Sequence, residues 1–279
     1  MSDKQIIKPQ PISGFPEWLP EEKLVEERLL RVIRREFERF GFTPIETPAV
    51  ERKEILTAKG IVEKEIYALS RLAAAEGEDP STEMALHFDL TVPLARYVAQ
   101  HFGKLTFPFR RYQIQKVWRG ERPQAGRFRE FYQCDIDIIG NGSLGALNDA
   151  EIPCVIHAIF SRIGIGRFVI RINNRKVLQG LLEYHGVIAE RIPEALRAID
   201  GLEKVGAEKV VAELTANAGM AGDHARALLD ILTAAPDLDI LKRLGGPEIL
   251  RNGVEELREV VAGLKALGMP EDAYRVDLT

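Results

Sequence analysis

Apolar residues recur at intervals of three and four between Glu21 and Phe40, which is the spacing of one face of an α-helix. The pattern predicts a helix over 21–40 that ends before Gly41, because glycine readily adopts the left-handed conformation that follows a helix. The segment 1–20 is rich in proline and predicts an extended arm. The apolar positions of the helix are Val25, Leu29, Val32, Ile33, Phe37 and Phe40.

Short apolar runs punctuated by proline predict the elements that follow this helix. The run 42–50 is extended, but Pro44 and Pro48 cannot donate to a sheet, so we expect an edge strand or an interface strand there. Residues 85–88 predict a short buried strand. They lead into a helix from Thr91 to about residue 101, with a proline in its first turn.

Two near-alternating runs, Arg111–Arg119 and Arg127–Ile139, flank the turn-rich loop 120–126. This arrangement predicts a β-hairpin with a long basic loop. Side chains alternate across a strand, and the mostly apolar even-numbered positions are expected to face the core. The odd-numbered face carries Arg111, Gln113, Gln115, Val117 and Arg119, and then Arg127, Arg129, Phe131, Gln133, Asp135, Asp137 and Ile139.

The remaining sequence predicts mainly helices. A helix is expected over 148–163, with Asn148 and Glu151 placed as a capping box, followed by a strand over 168–172. From residue 176 to about 267, alanine, leucine, glutamate and lysine dominate and strand signals nearly vanish. We therefore predict an α+β protein with one domain over 1–175 and a helical module over 176–279.

Composition excludes several classes of protein. Apolar residues make up 46% and charged residues 29%, which is typical of a globular chain and not of a disordered or collagenous one. The net charge of −4 argues against a general nucleic-acid coat protein. Cys134 and Cys154 cannot by themselves form a disulfide scaffold or a zinc site, and they suit a reducing compartment. No run is apolar enough for a signal or a membrane span, so we expect a cytoplasmic protein.

The odd-numbered face of the hairpin is the strongest candidate for chemistry. A half-exposed sheet with a polar face in water is the ordinary interpretation of such alternation. Here, however, arginines in the loop accompany an aromatic residue, Phe131, within the polar face. Forked guanidinium groups bind phosphates and an aromatic ring stacks on a base, so this combination suits a nucleotide. Since the sequence has no glycine-rich phosphate loop, side-chain guanidinium groups would hold the phosphates.

These residues resemble a known family. The stretch 118–133, WRGERPQAGRFREFYQ, resembles motif 2 of class II aminoacyl-tRNA synthetases in its histidyl-tRNA synthetase form. The stretch 86–97, LHFDLTVPLARY, resembles the first histidine-binding segment of that family. The helix 21–40 with the strand at Pro48 is similar to motif 1, which forms the dimer interface. The likeness covers 12–175 and implies an antiparallel sheet flanked by helices, followed by a helical insertion module over 176–279.

The resemblance implies a role for each of four residues in ATP binding. Arg119 would bind the α-phosphate and stabilise charge as the amino-acid carboxylate attacks. Glu121 would contact the adenine amino group, and Phe131 would stack on the adenine ring. Arg127 would hold the γ-phosphate.

Four further residues are expected at the amino-acid site. Asp89, Thr91 and Gln133 would bind the α-amino and carboxylate end of histidine, and Asp137 would accept the imidazole N–H. The family often has another residue at the position of His87. A histidine in a buried strand is more often structural, so we assign it no role.

The function implied is that of a histidine–tRNA ligase, which uses ATP with Mg²⁺ to form histidyl-adenylate and transfers histidine to tRNA-His. We expect a homodimer, and we expect that protein side chains do not form a metal site. In the family a second histidine motif and motif 3 follow the point at which Thr279 stands, so we expect weak activity or none from these residues alone. Two alternatives remain: the non-catalytic synthetase-like regulatory subunit of ATP phosphoribosyltransferase, which usually loses the intact motif 2 loop, and a plain dimerisation or RNA-binding module.

Overall fold

The structure, a computed structural model, describes residues 8–58, 65–71, 83–234 and 237–279. The chain divides into two compact units, 1–144 and 145–279. The predicted boundary between a catalytic core and an insertion module lies later, at 175/176, and that assignment of roles stays a prediction. Helices and strands are both present in each unit, which confirms the α+β class.

The first unit begins with the helix predicted from the apolar spacing. Helix α1 spans Pro20–Arg39, and its proline occupies the first helical position, where no donor is lost. Glu22 accepts a hydrogen bond from the backbone N–H of Leu19 at 3.0 Å and so satisfies one exposed donor at the helix start. Gly41 has a φ of 77°, as expected for the residue that ends a helix.

The predicted extended run 42–50 contains strand only near its ends, and Pro48 lies between two short strands and belongs to neither. Strand β1, Thr43–Pro44, pairs in parallel with strand β4, Phe109–Trp118, at the edge of a three-stranded sheet. Strand β2, Val50–Arg52, pairs antiparallel with β3, Met84–Leu86. Further helices in the described part of this unit are α2, Lys53–Thr57, α3, Thr91–His101, and a short 3₁₀ helix, Phe102–Lys104.

The hairpin is formed by β4 and by β5, Glu130–Ile139, in antiparallel register. Arg111 lies opposite Asp137, and Val117 lies opposite Phe131. The mostly apolar even-numbered face is expected to be the core side, but burial is not confined to it. On β4 the odd-numbered Arg111 and Gln113 are fully or almost fully buried. Arg111 pairs with Asp137, and Gln113 bonds to Thr47 and Gln115.

The second unit contains helix α4, Leu147–Ile163, and the short parallel strands β6, Ile170–Ile172, and β7, Tyr274–Val276. The predicted capping box at the start of α4 is wrong, because the Asn148 side chain donates to the carbonyl of Gly145 at 2.9 Å and caps no helical N–H. The other helices are α5 (Arg175–Tyr184), α6 (Ile192–Asp200), α7 (Leu202–Val205), α8 (Ala207–Ala218), α9 (Gly222–Thr233), α10 (Leu238–Leu244) and α11 (Glu248–Ala266), with a 3₁₀ turn at Ala189–Arg191.

These helices bury a leucine-rich core, which confirms the helical interpretation of this region. Helices α5 and α11 approach so closely that a Cβ atom at Gly180 would lie 2.5 Å from the Cα of Leu250. Only glycine fits at that crossing. Within the described residues no helix is both long and apolar enough to cross a membrane. The fully buried leucines include Leu181, Leu182, Leu214, Leu228, Leu250 and Leu257.

Candidate active site

Arg119 follows directly after β4 and is held from two sides. Its Nε donates to the backbone carbonyl of Phe88 at 3.0 Å. Its guanidinium carbon lies 5.2 Å from the ring centroid of Phe131, which is within cation–π range. Both contacts leave the Nη donors of Arg119 available to a ligand.

The loop between the strands carries an ion pair. Arg127 Nε lies 2.5 Å from Glu121 Oε2, and the Arg127 side chain is 57% exposed whereas that of Glu121 is 15% exposed. Backbone hydrogen bonds in both directions between Gln124 and Arg127 close the tip of the loop. The loop and the first residues of β5 enclose a cavity of about 240 Å³. It is lined by Arg119, Glu121, Gly126, Arg127, Phe128 and Phe131.

The N-terminal arm fastens this loop from outside. The backbone N–H of Arg129 donates to the carbonyl of Gly14 at 2.7 Å, and its Nη1 donates to that of Ser13 at 3.3 Å. The Trp18 and Phe128 rings meet edge to face with centroids 5.9 Å apart. Arg129 Nε also donates to the carbonyl of Glu121 at 2.9 Å. The arm therefore supports the backbone of a predicted ATP-binding residue, a role that the proline-rich sequence did not indicate.

Asp89 and Thr91 lie at the start of α3. Asp89 Oδ1 accepts a hydrogen bond from the backbone N–H of Val92 at 3.1 Å, so this carboxylate caps the helix. Thr91 is the first helical residue and is exposed. The helix start therefore fixes the position of both residues beside the hairpin.

Gln133 and Asp137 continue the odd-numbered face of β5. The buried Oε1 of Gln133 has no hydrogen-bond partner among the described residues, so it can accept from a ligand. Asp137 Oδ2 lies 2.5 Å from Nη2 of Arg111. Burial raises the pKa of Asp137, and the charge of Arg111 opposes that rise.

Asp135 lies between these two residues and was not predicted as a site residue. Burial raises its pKa; Arg111 and Arg119 act against that rise, whereas Asp137 and Asp89 add to it. The neighbours that influence Asp135 come from β4, from the start of α3 and from β5 itself. The residues predicted to bind the nucleotide and those predicted to bind the amino acid therefore lie near one another, around Asp135.

His87 has the surroundings of a structural residue. Its side chain is fully buried, and its Nε2 lies 2.7 Å from the carbonyl oxygen of Lys116. Its ring packs against that of Trp118 at 5.5 Å. The backbone of His87 also bonds to Ala49 and to Trp118, so this residue joins the segment of Asp89 to the hairpin.

The predicted ATP-binding residues thus line one cavity, and the predicted histidine-binding residues continue from it along β5 and at the start of α3. Arg111 was missed as a functional candidate. Strand β4 carries three charged residues, Arg110, Arg111 and Lys116, and only the register reveals which of them meets Asp137. In the described ranges, no group of three or more His, Cys, Asp or Glu side chains could hold a metal ion.

Comparison with known proteins identifies relatives over almost the whole chain. A family model described as Histidyl-tRNA synthetase matches residues 14–279. The histidine–tRNA ligase of Thermobifida fusca (strain YX) is 46% identical over 284 residues, covering 100% of this chain and 64% of that relative. The crystal structure of histidyl-tRNA synthetase from Nostoc sp. PCC 7120 is 44% identical with a TM-score of 0.87, covering 98% of this chain and 62% of that one.

A more distant solved structure shares the fold. The protein described as an ATP phosphoribosyltransferase regulatory subunit/histidyl-tRNA synthetase from Bacillus halodurans C is 21% identical, with a TM-score of 0.79 over 98% of this chain. At that identity the likeness concerns the fold alone. The chain spans less than two thirds of the length of the Thermobifida and Nostoc proteins. The predicted resemblance in fold is confirmed.

Proposed function

The chain belongs to the histidyl-tRNA synthetase family, and from this we propose that it forms the ATP- and histidine-binding part of a class II histidine–tRNA ligase. The reaction is the activation of histidine to histidyl-adenylate, followed by transfer to tRNA-His. The observation that carries the proposal is the cavity of about 240 Å³, lined by all four residues assigned to ATP. Their side chains offer two guanidinium groups, a carboxylate and an aromatic ring at one place.

Arg119 is proposed to bind the α-phosphate. In activation a histidine carboxylate oxygen attacks the α-phosphorus and pyrophosphate leaves, so negative charge builds at that phosphate. Arg119 is oriented beforehand by Phe88 and Phe131, and a preorganised charge of this kind stabilises the transition state. Mg²⁺ would arrive with the phosphates of ATP and neutralise part of their charge.

The loop pair is proposed to separate when ATP binds. Arg127 would turn to the γ-phosphate, and its 57% exposure leaves room for that movement. Glu121 would then accept a hydrogen bond from the adenine amino group, while Phe131 stacks on the adenine ring. The ion pair keeps both charges compensated until the nucleotide replaces it.

The amino-acid site is proposed along the same strand face. Asp89, Thr91 and Gln133 would hold the α-amino and carboxylate end of histidine, and the unpartnered Oε1 of Gln133 supports this role. Asp137 would accept the imidazole N–H. A buried carboxylate disfavours apolar side chains, because its lost hydration would not be replaced.

A homodimer through α1 and the segment around Pro48 is proposed. Leu24 and Val25 on α1 are 71% and 58% exposed, which supports a partner surface on this helix. The partner would be a second copy of the chain. We propose that the protein acts in the cytoplasm and that tRNA-His accepts the histidine. Sedimentation velocity at micromolar concentration tests this, since a 31 kDa species alone would contradict it.

Calorimetry with ATP, histidine and other amino acids tests the proposed function. We expect binding of both ligands and selection of histidine. The variant Asp137→Asn keeps the shape of the side chain and should lose histidine affinity while retaining ATP. A chain that binds neither ligand, or an Asp137→Asn variant with the affinity and selectivity of the parent, would contradict the proposal. The regulatory-subunit alternative is supported by fold likeness alone, whereas the complete arginine set of the loop favours the ligase.

A further inference from the structure

Arg111 is a fully buried arginine in the middle of the hairpin. It lies directly opposite Asp137, and the Nη2–Oδ2 distance is 2.5 Å. Asp137 remains 32% exposed. The ion pair therefore has one end closed inside the protein and one end open to the proposed histidine site.

The surroundings of Arg111 leave Asp137 as its main partner. Arg111 Nη1 reaches Gln113 Oε1 only at 3.5 Å. Gln113 Nε2 donates to Thr47 Oγ1 at 2.9 Å and to Gln115 Oε1 at 2.6 Å, so Gln113 is fixed by other bonds. In the ranges that the structure describes, Arg111 Nε has no hydrogen-bond partner, and Nη2 has no contact of this kind beyond the ion pair with Asp137. A buried guanidinium with so few neutral acceptors depends on its carboxylate.

We infer that Arg111 is a positioning and specificity-determining residue: it holds Asp137 as a carboxylate and binds one of its oxygens, so that the other accepts the imidazole N–H of histidine. This inference rests on the proposed histidine site. Arg111 acts through Asp137 and does not itself touch the ligand, because its side chain is completely buried. The cross-strand register brings the two residues together.

Other charged groups surround the Arg111–Asp137 ion pair, and Arg111 is the cation that controls the protonation of Asp137. Asp135 lies two residues from Asp137 on the same strand face, and Asp89 and Arg119 lie close enough to act on Asp135. Three carboxylates thus share this region with two guanidinium groups, and Arg111 is the one that contacts Asp137. Burial raises the pKa of Asp137 and Arg111 counteracts it, so removal of the Arg111 charge would raise that pKa further. Asp137 would then take up a proton at a higher pH.

Calorimetry of the 279-residue chain with a triazole analogue of histidine, between about pH 5 and pH 9, tests the inference. The ring of this analogue stays neutral over that range, so a loss of affinity on the acid side reports the protein. We expect Arg111→Met to weaken binding at least about tenfold at neutral pH and to raise the pH at which binding is lost by about one unit or more. Arg111→Gln keeps polar donors without the charge and should show the same displacement. Arg111→Lys keeps the charge and should restore the parent pH profile.

Two controls separate this role from a general structural one. In an Asp137→Asn background, Arg111→Met should leave the pH profile unchanged, and in every folded variant ATP affinity should equal that of the parent. If both neutral variants keep the affinity and pH profile of the parent, the inference is wrong. It is also wrong if Arg111→Met and Arg111→Lys lose binding equally at every pH. A parent chain that binds neither histidine nor the analogue would instead overturn the proposed site itself.

Discussion

Arg119 and Phe88 are joined by a hydrogen bond of 3.0 Å from the arginine Nε to the phenylalanine carbonyl. Phe88 immediately precedes Asp89, so one bond connects the proposed α-phosphate ligand with the proposed amino-acid segment. In the proposed reaction histidine and ATP would have to meet with their reacting atoms close together, and a direct bond between the two parts of the site would help to hold that geometry.

Replacement of Arg119 should therefore remove both a positive charge and the planar group that contacts Phe88 and Phe131. We expect Arg119→Ala to weaken ATP binding at least about tenfold, since a charge-assisted phosphate contact contributes about 1.5–3 kcal/mol. Arg119→Lys keeps the positive charge but cannot reproduce the planar group that contacts Phe88 and Phe131 together. It should recover only part of the affinity in calorimetry. A folded Arg119→Ala variant with the ATP affinity of the parent would remove Arg119 from the site.

The role of Arg127 can be tested by comparing nucleotides that have and lack a γ-phosphate. Because it is assigned to the γ-phosphate, Arg127→Ala should weaken ATP binding about tenfold while AMP affinity changes less than about twofold. Arg122 is the matched control, since it is an exposed arginine of the same loop. We expect Arg122→Ala to bind both nucleotides as the parent does. An equal loss for ATP and AMP in Arg127→Ala would speak against a γ-phosphate contact.

The contact between the arm and the loop predicts that Gly14 influences nucleotide binding from outside the cavity. Gly14 has a φ of 84°, and a Cβ there would lie 2.9 Å from the Arg129 side chain and 3.1 Å from Pro123. Gly14→Ala should displace the loop and weaken ATP binding at least about threefold.

Gly41→Ala provides the control for Gly14. Gly41 also has a positive φ, but a Cβ there would have no atom within 4 Å. In both variants backbone strain should lower the free energy of unfolding by about 1–2 kcal/mol. Only Gly14→Ala should change ATP affinity in calorimetry. Equal ATP affinities in the two variants would mean that the arm does not position the loop.

The close crossing of α5 and α11 predicts a large effect on stability in the second unit. Gly180→Ala must push Leu250 away and should lower the free energy of unfolding by about 1–3 kcal/mol, measured by urea denaturation. Gly222→Ala on α9 is the control, because only Arg226 lies near its Cβ position, at 3.9 Å. This control should be neutral or slightly stabilising, and a similar loss in both variants would contradict the packing argument.

Cys134 should react slowly while the chain is folded. Burial raises the pKa of this thiol to about 11, and the thiolate is the reactive form. In a Cys154→Ser variant at pH 8, alkylation should be about 100-fold slower in the folded chain than in urea, and it should accelerate as the pH approaches the raised pKa. Equal rates in the two states would show that Cys134 is accessible and normally acidic.

The alternation of the hairpin could be predicted from the sequence because a strand has a period of two. The same period predicts that Arg119, Phe131, Gln133 and Asp137 share one face. The pairing of Arg111 with Asp137 could not be predicted. It depends on which residues of the two strands face each other, and that register is seen only in the folded hairpin, where the backbone N–H of Arg119 donates to the carbonyl of Arg129 at 2.8 Å.

The start of α4 illustrates a different limit. Asn148 and Glu151 have the right spacing for a capping box, but the same asparagine amide bonds backward to Gly145 instead. Short polar side chains often have two local partners within reach, and the surrounding backbone decides between them. The burial of Arg111 was equally hidden, because composition cannot reveal that a charged residue meets its carboxylate across a sheet.

The register of the hairpin also determines which changes in gene length the chain can accept. Insertion or deletion of a single codon between Phe131 and Asp137 would turn every later side chain of β5 to the opposite face. Asp137 would then point away from Arg111 and leave a buried charge alone. Codons added at the tip of the loop, between Pro123 and Gly126, would alter neither strand. A change of length within β5 would therefore break the ion pair, whereas one at the tip would leave the strands in register and disturb the Gln124–Arg127 bonds and the cavity beside them.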